Sequence, residues 1–494
     1  MTIPSHHRMV IDGEDVEALA GDRFSRTSPA HDTVVTSYPR ADADDVDRAA
    51  RAARRAFDEG PWPKLAAVDR SRVLLRVAAL IRRDAAALAR LEVLESGKPI
   101  DQALGEVATA AELWDYAAAL ARHAHGDAHN TLGEDVLAMV LREPVGVVAM
   151  ITPWNFPLLI VSQKLPFALA VGCTAIVKPS ELTPGTTVAL AGLLREAGLP
   201  DGVVNVVTGA GGIGSAMTCH DAVDMVSFTG STEVGRAVAS AAGQRLKKAE
   251  LELGGKNPQI VCADADLDAA LDAVVFGVYF NAGECCNSGS RVLVDRRIAA
   301  DFQAAVIRRS KEVPVGDPLD PATRIGAITS QEQLDTIERY VAEGTAAGAS
   351  LALGGSRLPT PTGRFYHPTV FTDVRREMSI AREEIFGPVL SMLTFSSLDE
   401  AVSIANDTVY GLSAGIWTSD VNAALTASRT LRAGTIWVNR WMDGYPELPF
   451  GGFGASGLGR ELGRHAIGEF TETKTVQLQV GPRTTRWLTD PVAG

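Results

Sequence analysis

The sequence predicts an α/β protein with two successive sheet-bearing blocks, and three observations predict it. From position 145 onward, short β-branched runs alternate with helical patterns at the period of βαβ units. A second alternation of the same kind begins after Lys256. A chain of 494 residues also exceeds what one hydrophobic core sustains, so two or three domains are expected.

Ahead of the first block the chain reads as helix. Val73, Val77, Leu80, Ile81, Leu88 and Leu91 recur on one face of a continuous Ala/Arg-rich helix over 69–95, expected to cover the sheet. In the first block 145–151, 174–178, 203–207 and 225–228 read as strands, each followed by a helix, which gives a doubly wound, mostly parallel sheet. The spacing predicts a helix over 184–197, with Pro184 in its first turn and Gly198 as its stop. In the second block 260–263, 291–294, 389–395 and 435–438 read as strands.

Composition narrows the function classes. A net charge of −13, with no Lys/Arg run longer than two to offset it, disfavours nucleic acid and anionic membranes as partners. The most apolar stretch, 145–177, is interrupted by Pro153, Pro157, Lys164 and Pro166, so it is not expected to span a membrane. Five irregularly placed cysteines offer no disulfide framework, and the opening residues MTIPSHHRMV lack the apolar core of a signal peptide. A cytoplasmic setting is the expectation.

The chemistry concentrates in four segments. In Asn281-Ala282-Gly283-Glu284-Cys285-Cys286 a pair of thiols sits in a Gly-flanked turn between a helical stretch and a β-branched run, a placement that presents a nucleophile. Paired cysteines alone read as packing residues; the neighbouring motifs change that. Asn155 lies in the Pro-bracketed turn Pro153-Trp154-Asn155-Phe156-Pro157, which cannot be helical. Glu252 closes an apolar run just before Gly254-Gly255, where backbone can approach a site closely. In Phe228-Thr229-Gly230-Ser231 a strand ends, Ser231 can cap the next helix, and that helix offers free N–H groups to a phosphate. The run 209–214 matches GxGxxG, but the spacing alone is a weak signal and is not taken as the pyrophosphate site.

Together with Glu383-Glu384-Ile385-Phe386-Gly387-Pro388, these segments resemble the aldehyde dehydrogenase superfamily over 11–480. The resemblance implies a Rossmann-like cofactor domain (1–121 and 145–255), a second α/β catalytic domain (256–470) and a small β oligomerisation arm (122–144 and 471–494), hence a homodimer or homotetramer. It implies Cys286, five residues before Arg291, as the nucleophile that passes through a thiohemiacetal and a thioester, with Cys285 as its neighbour. Asn155 and the Cys286 N–H would hold the oxyanion. Glu252 would activate the hydrolytic water, which separates the chain from relatives that acylate coenzyme A. The expected cofactor is NAD, with NADP as a weaker alternative, because Glu181, beside Lys178 and Ser180, would accept the ribose hydroxyls and repel a 2′-phosphate. Ile151, Thr152, Pro153, Trp154, Gly211, Phe228, Gly230, Ser231 and Leu253 complete the implied cofactor contacts, with Glu384 at the nicotinamide ribose and Phe386 at its ring. No metal is expected.

The chain also departs from the family pattern. Gly454 stands where relatives usually have Lys, and Glu284 replaces a commoner Gln; a carboxylate there raises the thiol pKa unless it points away. Gln163, eight residues after Asn155, replaces a Trp of relatives that take apolar aldehydes, and the 439–447 loop brings Arg440 and Asp443. With Phe156 and Phe450 these predict a tunnel for a small, polar aldehyde. A betaine or amino-aldehyde dehydrogenase is the alternative, with Phe156 and Trp441 available to a quaternary ammonium. Two readings of other kinds are a cysteine hydrolase, which lacks a His near any motif, and a non-catalytic structural relative.

Overall fold

In the computed structural model, which describes residues 4–482 and 487, two open sheets face each other across the site. The first has eight strands in the order Gly457–Leu458, Lys248–Glu252, Met225–Thr229, Val147–Ile151, Thr174–Lys178, Val204–Val206, Met9–Ile11, Glu14–Val16. Its five middle strands run parallel and its edges are antiparallel. From Val147–Ile151 the chain winds outward one way through Thr174–Lys178 and Val204–Val206, then returns to the other side through Met225–Thr229. The order therefore reverses beside Val147–Ile151, and the carboxyl ends of the strands flanking such a switch open a crevice that suits a ligand.

The second sheet has seven strands, Ser350–Leu353, Thr369–Thr372, Val389–Phe395, Arg291–Asp295, Pro258–Val261, Ser413–Trp417 and Thr435–Val438, all parallel except the first pair. Its strands begin where the loops 253–257, 284–290 and 383–388 leave the crevice, so three motif segments enter the site at strand N-termini. Each sheet carries its own apolar core. Residues 457–470 cross back onto the first: Leu462, Ile467 and Phe470 pack in its core. A third sheet pairs Thr471–Gln479 with Val136–Pro144, and that strand with Asp127–His129, all antiparallel. Residues 1–3, 483–486 and 488–494, part of the expected first domain and arm, lie outside the described residues.

Several expectations shift in detail. The long helix over 69–95 is two helices, Ala67–Arg83 and Ala85–Ser96, broken at Asp84, whose φ of −100° and ψ of 13° leave the helical basin. The apolar stripe continues across the break because both helices bury the same side, which is why periodicity alone does not reveal it. Pro184 caps Gly185–Glu196 from outside rather than sitting in its first turn. The arm strand runs Thr471–Gln479, starting at the first residue of the expected arm segment. Among the described residues no helix is long and apolar enough to cross a membrane, and no group of side chains forms a metal site.

Candidate active site

The nucleophile loop is built from unusual backbone. Asn281, Ala282 and Gly283 take φ values of 51°, 56° and 74° in succession, and a Cβ on Gly283 would sit 2.1 Å from the Gly387 carbonyl. Left-handed residues in sequence store strain that the surroundings must over-determine. Here they do: the Asn281 N–H donates to Gln102 Oε1 (3.0 Å), and Asn281 Nδ2 donates to the carbonyls of Asn155 (3.2 Å) and Glu284 (2.9 Å). Further along the loop, Asn257 Nδ2 donates to the carbonyls of Cys286 (2.7 Å) and Ser288 (2.9 Å), and the buried Arg291 guanidinium donates to Lys256, Ile404 and Ala405 carbonyls. Both thiols reach a cavity of about 1180 Å³. Cys285 is buried and packs with Phe156 and Ile160, whereas Cys286 is partly open. The contact with Cys285, then burial, hold the Cys286 thiol well above the ordinary cysteine range. The resting thiol is therefore protonated and needs a base to attack.

Glu284 points away from that thiol. Its Oε1 accepts from the Thr329 N–H (3.0 Å), and burial raises it to about 8. The repulsion anticipated from replacing Gln is therefore not delivered to the nucleophile.

Asn155 is buried at the same loop. Its Nδ2 donates to the Glu284 carbonyl (3.1 Å), and its own carbonyl accepts from Asn281 Nδ2 (3.2 Å) and Lys98 Nζ (2.7 Å). One amide N–H is thereby spent on orientation and the other is left for a ligand. Lys98 went unseen in the sequence. It is fully buried, bonded to Glu92 (3.0 Å) and Glu106 (2.6 Å), and 4.6 Å from the Phe156 ring centre. Burial opposes its charge, but Glu106 and Glu92 outweigh it and keep it an ammonium.

Glu252 ends strand Lys248–Glu252 facing the same cavity, 3% exposed, with neither carboxylate oxygen bonded. Burial first, then the neighbouring Glu461, push it well above the ordinary carboxylate range, against the pull of Lys164. A buried acid kept near the point of proton exchange is the requirement for a general base. Gly451, with φ of 147°, is required beside it, because a Cβ there would lie 2.6 Å from Glu252 Oε1. Behind Glu252, Lys164 bonds Glu461 and donates to Ser227 Oγ (3.0 Å), which donates to Glu250 (2.7 Å). The sequence signalled none of these three acids' convergence, since Lys164 and Glu461 stand 297 positions apart.

On the other face of the crevice lie the residues expected to contact a dinucleotide. Ser231 caps helix Thr232–Gly243, its Oγ accepting from the Val234 N–H (3.3 Å), and the first N–H groups of that helix are free for a phosphate. Gly230 lies over Phe228, a Cβ there falling 2.5 Å from the ring, and Leu253 packs against Gly235. Gly211 opens helix Gly211–Cys219 with nothing near its Cβ position. Thr152 follows Ile151, donates its N–H to the Lys178 carbonyl (3.1 Å), and leaves its buried hydroxyl without a partner. Lys178 lies 3.7 Å from Glu181, and Ser180 Oγ accepts from the Leu182 N–H (3.2 Å). Pro153 precedes Trp154, whose ring meets Phe386 edge-on, centres 5.3 Å apart. Glu384 accepts from the Gly255 N–H (3.0 Å) and is raised to about 7 by burial. An orphaned hydroxyl, free helix N–H groups and an inward carboxylate that can accept from a ribose are the donors and acceptor a dinucleotide uses, so the residues fit one.

Phe156, Gln163, Arg440, Asp443 and Phe450 all line the cavity. Arg440 pairs with Asp443 and donates to Tyr445 Oη (2.8 Å) at the half-exposed mouth, so the two charges are largely spent on each other. Gln163 is one of several polar groups on the lining, which also carries aromatic walls that include a stacked Phe156 and Phe280, centres 6.0 Å apart. Trp441 is not among those walls. It is turned into the second core, against Trp437 and over Gly277 and Gly415, and so is unavailable to a quaternary ammonium. Gly454, at φ of 59°, occupies a left-handed position that suits Gly better than Lys.

Comparison with known proteins places this geometry. The family model described as "Aldehyde dehydrogenase family" matches residues 16–476. The chain is similar to betaine aldehyde dehydrogenase of Bacillus subtilis (strain 168), 40% identical over 97% of this chain and 99% of that one. Among solved structures, an NAD-dependent aldehyde dehydrogenase from Sinorhizobium meliloti superposes with a TM-score of 0.97 at 50% identity, covering 99% of this chain and 97% of that one. Betaine aldehyde dehydrogenase from Staphylococcus aureus in complex with NAD+ gives 0.96 at 37% identity, with 98% and 97% covered.

Proposed function

The chain belongs to the aldehyde dehydrogenase family and oxidises aldehydes with NAD, and from that premise we propose that Cys286, Asn155 and Glu252 carry the reaction. Cys286 Sγ, once deprotonated, adds to the aldehyde carbon. The Asn155 amide and the Cys286 N–H hold the resulting oxyanion, which lowers the barrier most where water is excluded. Ser231 and Glu384 would hold NAD, which when bound would supply the acceptor for the hydride that leaves this thiohemiacetal. Glu252 then takes a proton from water, and the hydroxyl hydrolyses the thioester to the carboxylic acid. The observation that carries the reading is that Cys286 and Glu252 open on one cavity at the switch point of the first sheet, close enough for Cys286 to be among the groups that raise the proton affinity of Glu252.

Gln163 favours a small, polar aldehyde over an alkyl one, since its amide is left unpaired by a hydrocarbon. The domains are assigned as 1–121 with 145–255, 256–470, and 122–144 with 471–494. Strand Thr471–Gln479 is an outer, mostly exposed edge, and such edges are covered in stable proteins; this supports the reading that the chain forms a homodimer or homotetramer through it, with the cytoplasm as the proposed setting. NADH absorbance with an aldehyde panel tests the activity, with Cys286→Ala and Cys285→Ala as controls. Loss in the first and retention in the second is expected. Equal losses, or ester hydrolysis without NADH, would favour a different nucleophile or a cysteine hydrolase.

A further inference from the structure

Asn155 is anchored from two other segments of the chain. Its backbone carbonyl accepts twice, from Lys98 Nζ at 2.7 Å and from Asn281 Nδ2 at 3.2 Å. Its side-chain Nδ2 donates to the Glu284 carbonyl at 3.1 Å, and that carbonyl accepts a second bond from Asn281 Nδ2 at 2.9 Å. The Asn281 amide therefore ties the main chain of Asn155 to the acceptor of its side chain, closing a ring around one residue. The turn gives Asn155 no such hold of its own: Phe156, which follows it, has φ of −137° and ψ of 68°, and helix Pro157–Val171 starts only afterwards.

Both anchors are themselves fixed. Lys98 stands in the turn between helices Ala85–Ser96 and Ile100–Ala121. Gly97 leaves the first helix at φ of 88°, its carbonyl accepts from the Ala327 N–H (3.0 Å), and a Cβ on it would lie 2.7 Å from the Ala327 carbonyl. The Lys98 N–H donates to Ser96 Oγ (3.2 Å). The ammonium has three N–H groups and three partners, Glu92, Glu106 and the Asn155 carbonyl, so none is spare, and it sits over the ring of Phe156. Asn281 is held by its main chain, whose N–H donates to Gln102 Oε1 (3.0 Å). Gln102 and Glu106 stand one turn apart on helix Ile100–Ala121 and both line the cavity, so both anchors rest on the tunnel wall.

We propose that Lys98 and Asn281 are the positioning residues of the oxyanion hole, fixing the Asn155 turn so that the amide N–H not given to Glu284 meets the oxygen that becomes negative when Cys286 adds. The proposal rests on Asn155 as an oxyanion donor. Such a donor lowers the barrier only if its direction is set before the charge develops, because reorienting it during the reaction would offset the stabilisation it provides. An amide on a free turn would rotate about its own torsions and rock with its main chain. Here Glu284 takes one N–H, and Lys98 with Asn281 holds the main chain still. A displacement of about 1 Å at a reacting centre slows a reaction by up to about 100-fold. Lys98 and Asn281 are both buried and outside the cavity lining, so their loss should spare ligand binding and slow the chemistry.

The test compares Lys98→Met, Asn281→Gly and Asn155→Ala in the full-length enzyme, singly and with each of the first two combined with Asn155→Ala. Rapid mixing reads the rate constant of the first NADH turnover; fluorescence reads NAD binding, and steady-state rates give the aldehyde KM. Lys98→Met and Asn281→Gly should each slow the first turnover about 10- to 100-fold, while NAD affinity and aldehyde KM stay within about threefold of wild type. Asn155→Ala should slow it about 100- to 1,000-fold. Adding either substitution to Asn155→Ala should lower it less than about twofold further, because residues that act through one donor are not additive. Full additivity in the Asn155→Ala background, or single variants whose first turnover is within about twofold of wild type, would overturn the proposal. A normal first turnover in Asn155→Ala would instead remove Asn155 as the donor. If Lys98→Met does not fold, since Glu92 and Glu106 lose their cation, Asn281→Gly decides: it removes no charge, and glycine takes the φ of 51° freely. An unchanged or additive first turnover there overturns the clamp.

Discussion

Replacing Glu181 by Ser should turn cofactor preference from NAD towards NADP. Glu181 leaves the turn after strand Thr174–Lys178 with its side chain 43% exposed and Oε2 3.7 Å from Lys178 Nζ. Two like charges about 4 Å apart repel by ~1 kcal/mol in water and ~4 kcal/mol at an effective dielectric of 20. The exposure of Glu181 places its repulsion of a 2′-phosphate towards the lower end, about 1–2 kcal/mol, or roughly 5- to 30-fold in affinity. Ribose hydroxyls bonded to a carboxylate contribute about 1.5–3 kcal/mol each, and Ser can replace one of the two. kcat/KM for NAD should therefore fall about 10- to 100-fold while that for NADP rises about 5- to 30-fold. Initial rates at saturating aldehyde with each cofactor varied give both numbers. Adding Lys178→Met should erase the NADP gain, because that buried ammonium supplies the attraction. A wild type that already prefers NADP, or a mutant whose ratio moves less than about threefold, would refute the reasoning.

Glu252→Gln should keep the NADH burst but lower the steady-state rate by about 100-fold or more. In the wild type, because burial raises Glu252, the hydrolytic rate should climb as pH rises above the ordinary carboxylate range; a flat profile in rapid-mixing experiments would argue against it. Lys164→Met leaves three buried carboxylates without their cation and should cost about 3–5 kcal/mol in denaturant unfolding. That loss should be smaller at low pH, where Glu250 and Glu252, both raised by burial, are protonated in the folded state, and should grow as pH rises through about 7, the value of Glu250. Gln163→Trp should narrow the preference for hydroxy- or amino-bearing aldehydes over hexanal, a gap of about tenfold in kcat/KM that competing-substrate assays would read. A wild type that takes hexanal or benzaldehyde best would show Gln163 turned from the substrate.

Much of this molecule is local and so was legible in order along the chain. Strand Thr174–Lys178 is four apolar or β-branched positions closed by Lys178, buried on both faces, and its boundaries are those the residues suggest. Ser231 reads as a cap because capping needs only the next three residues. The thiol turn, the Pro-bracketed Asn155 and the Gly-flanked Glu252 are likewise short-range signals, since strain, cis-acting turns and close backbone approach are set within a few bonds. What the tertiary structure decided is which distant side chains share a space and which way each one faces. Asp84 breaks a helix whose apolar stripe continues unbroken. Trp441 turns inward because Gly277, Gly289 and Gly415, on three separate segments, leave it room. Arg440 and Asp443 neutralise one another instead of waiting for substrate. Lys98 reaches Asn155, and Lys164 gathers Glu250, Glu252 and Glu461, because the chain's crossovers carry residues from 57 to 297 positions apart to one crevice. Periodicity and propensity encode which face of an element is buried; the partner that face meets is chosen only when the sheets close on each other.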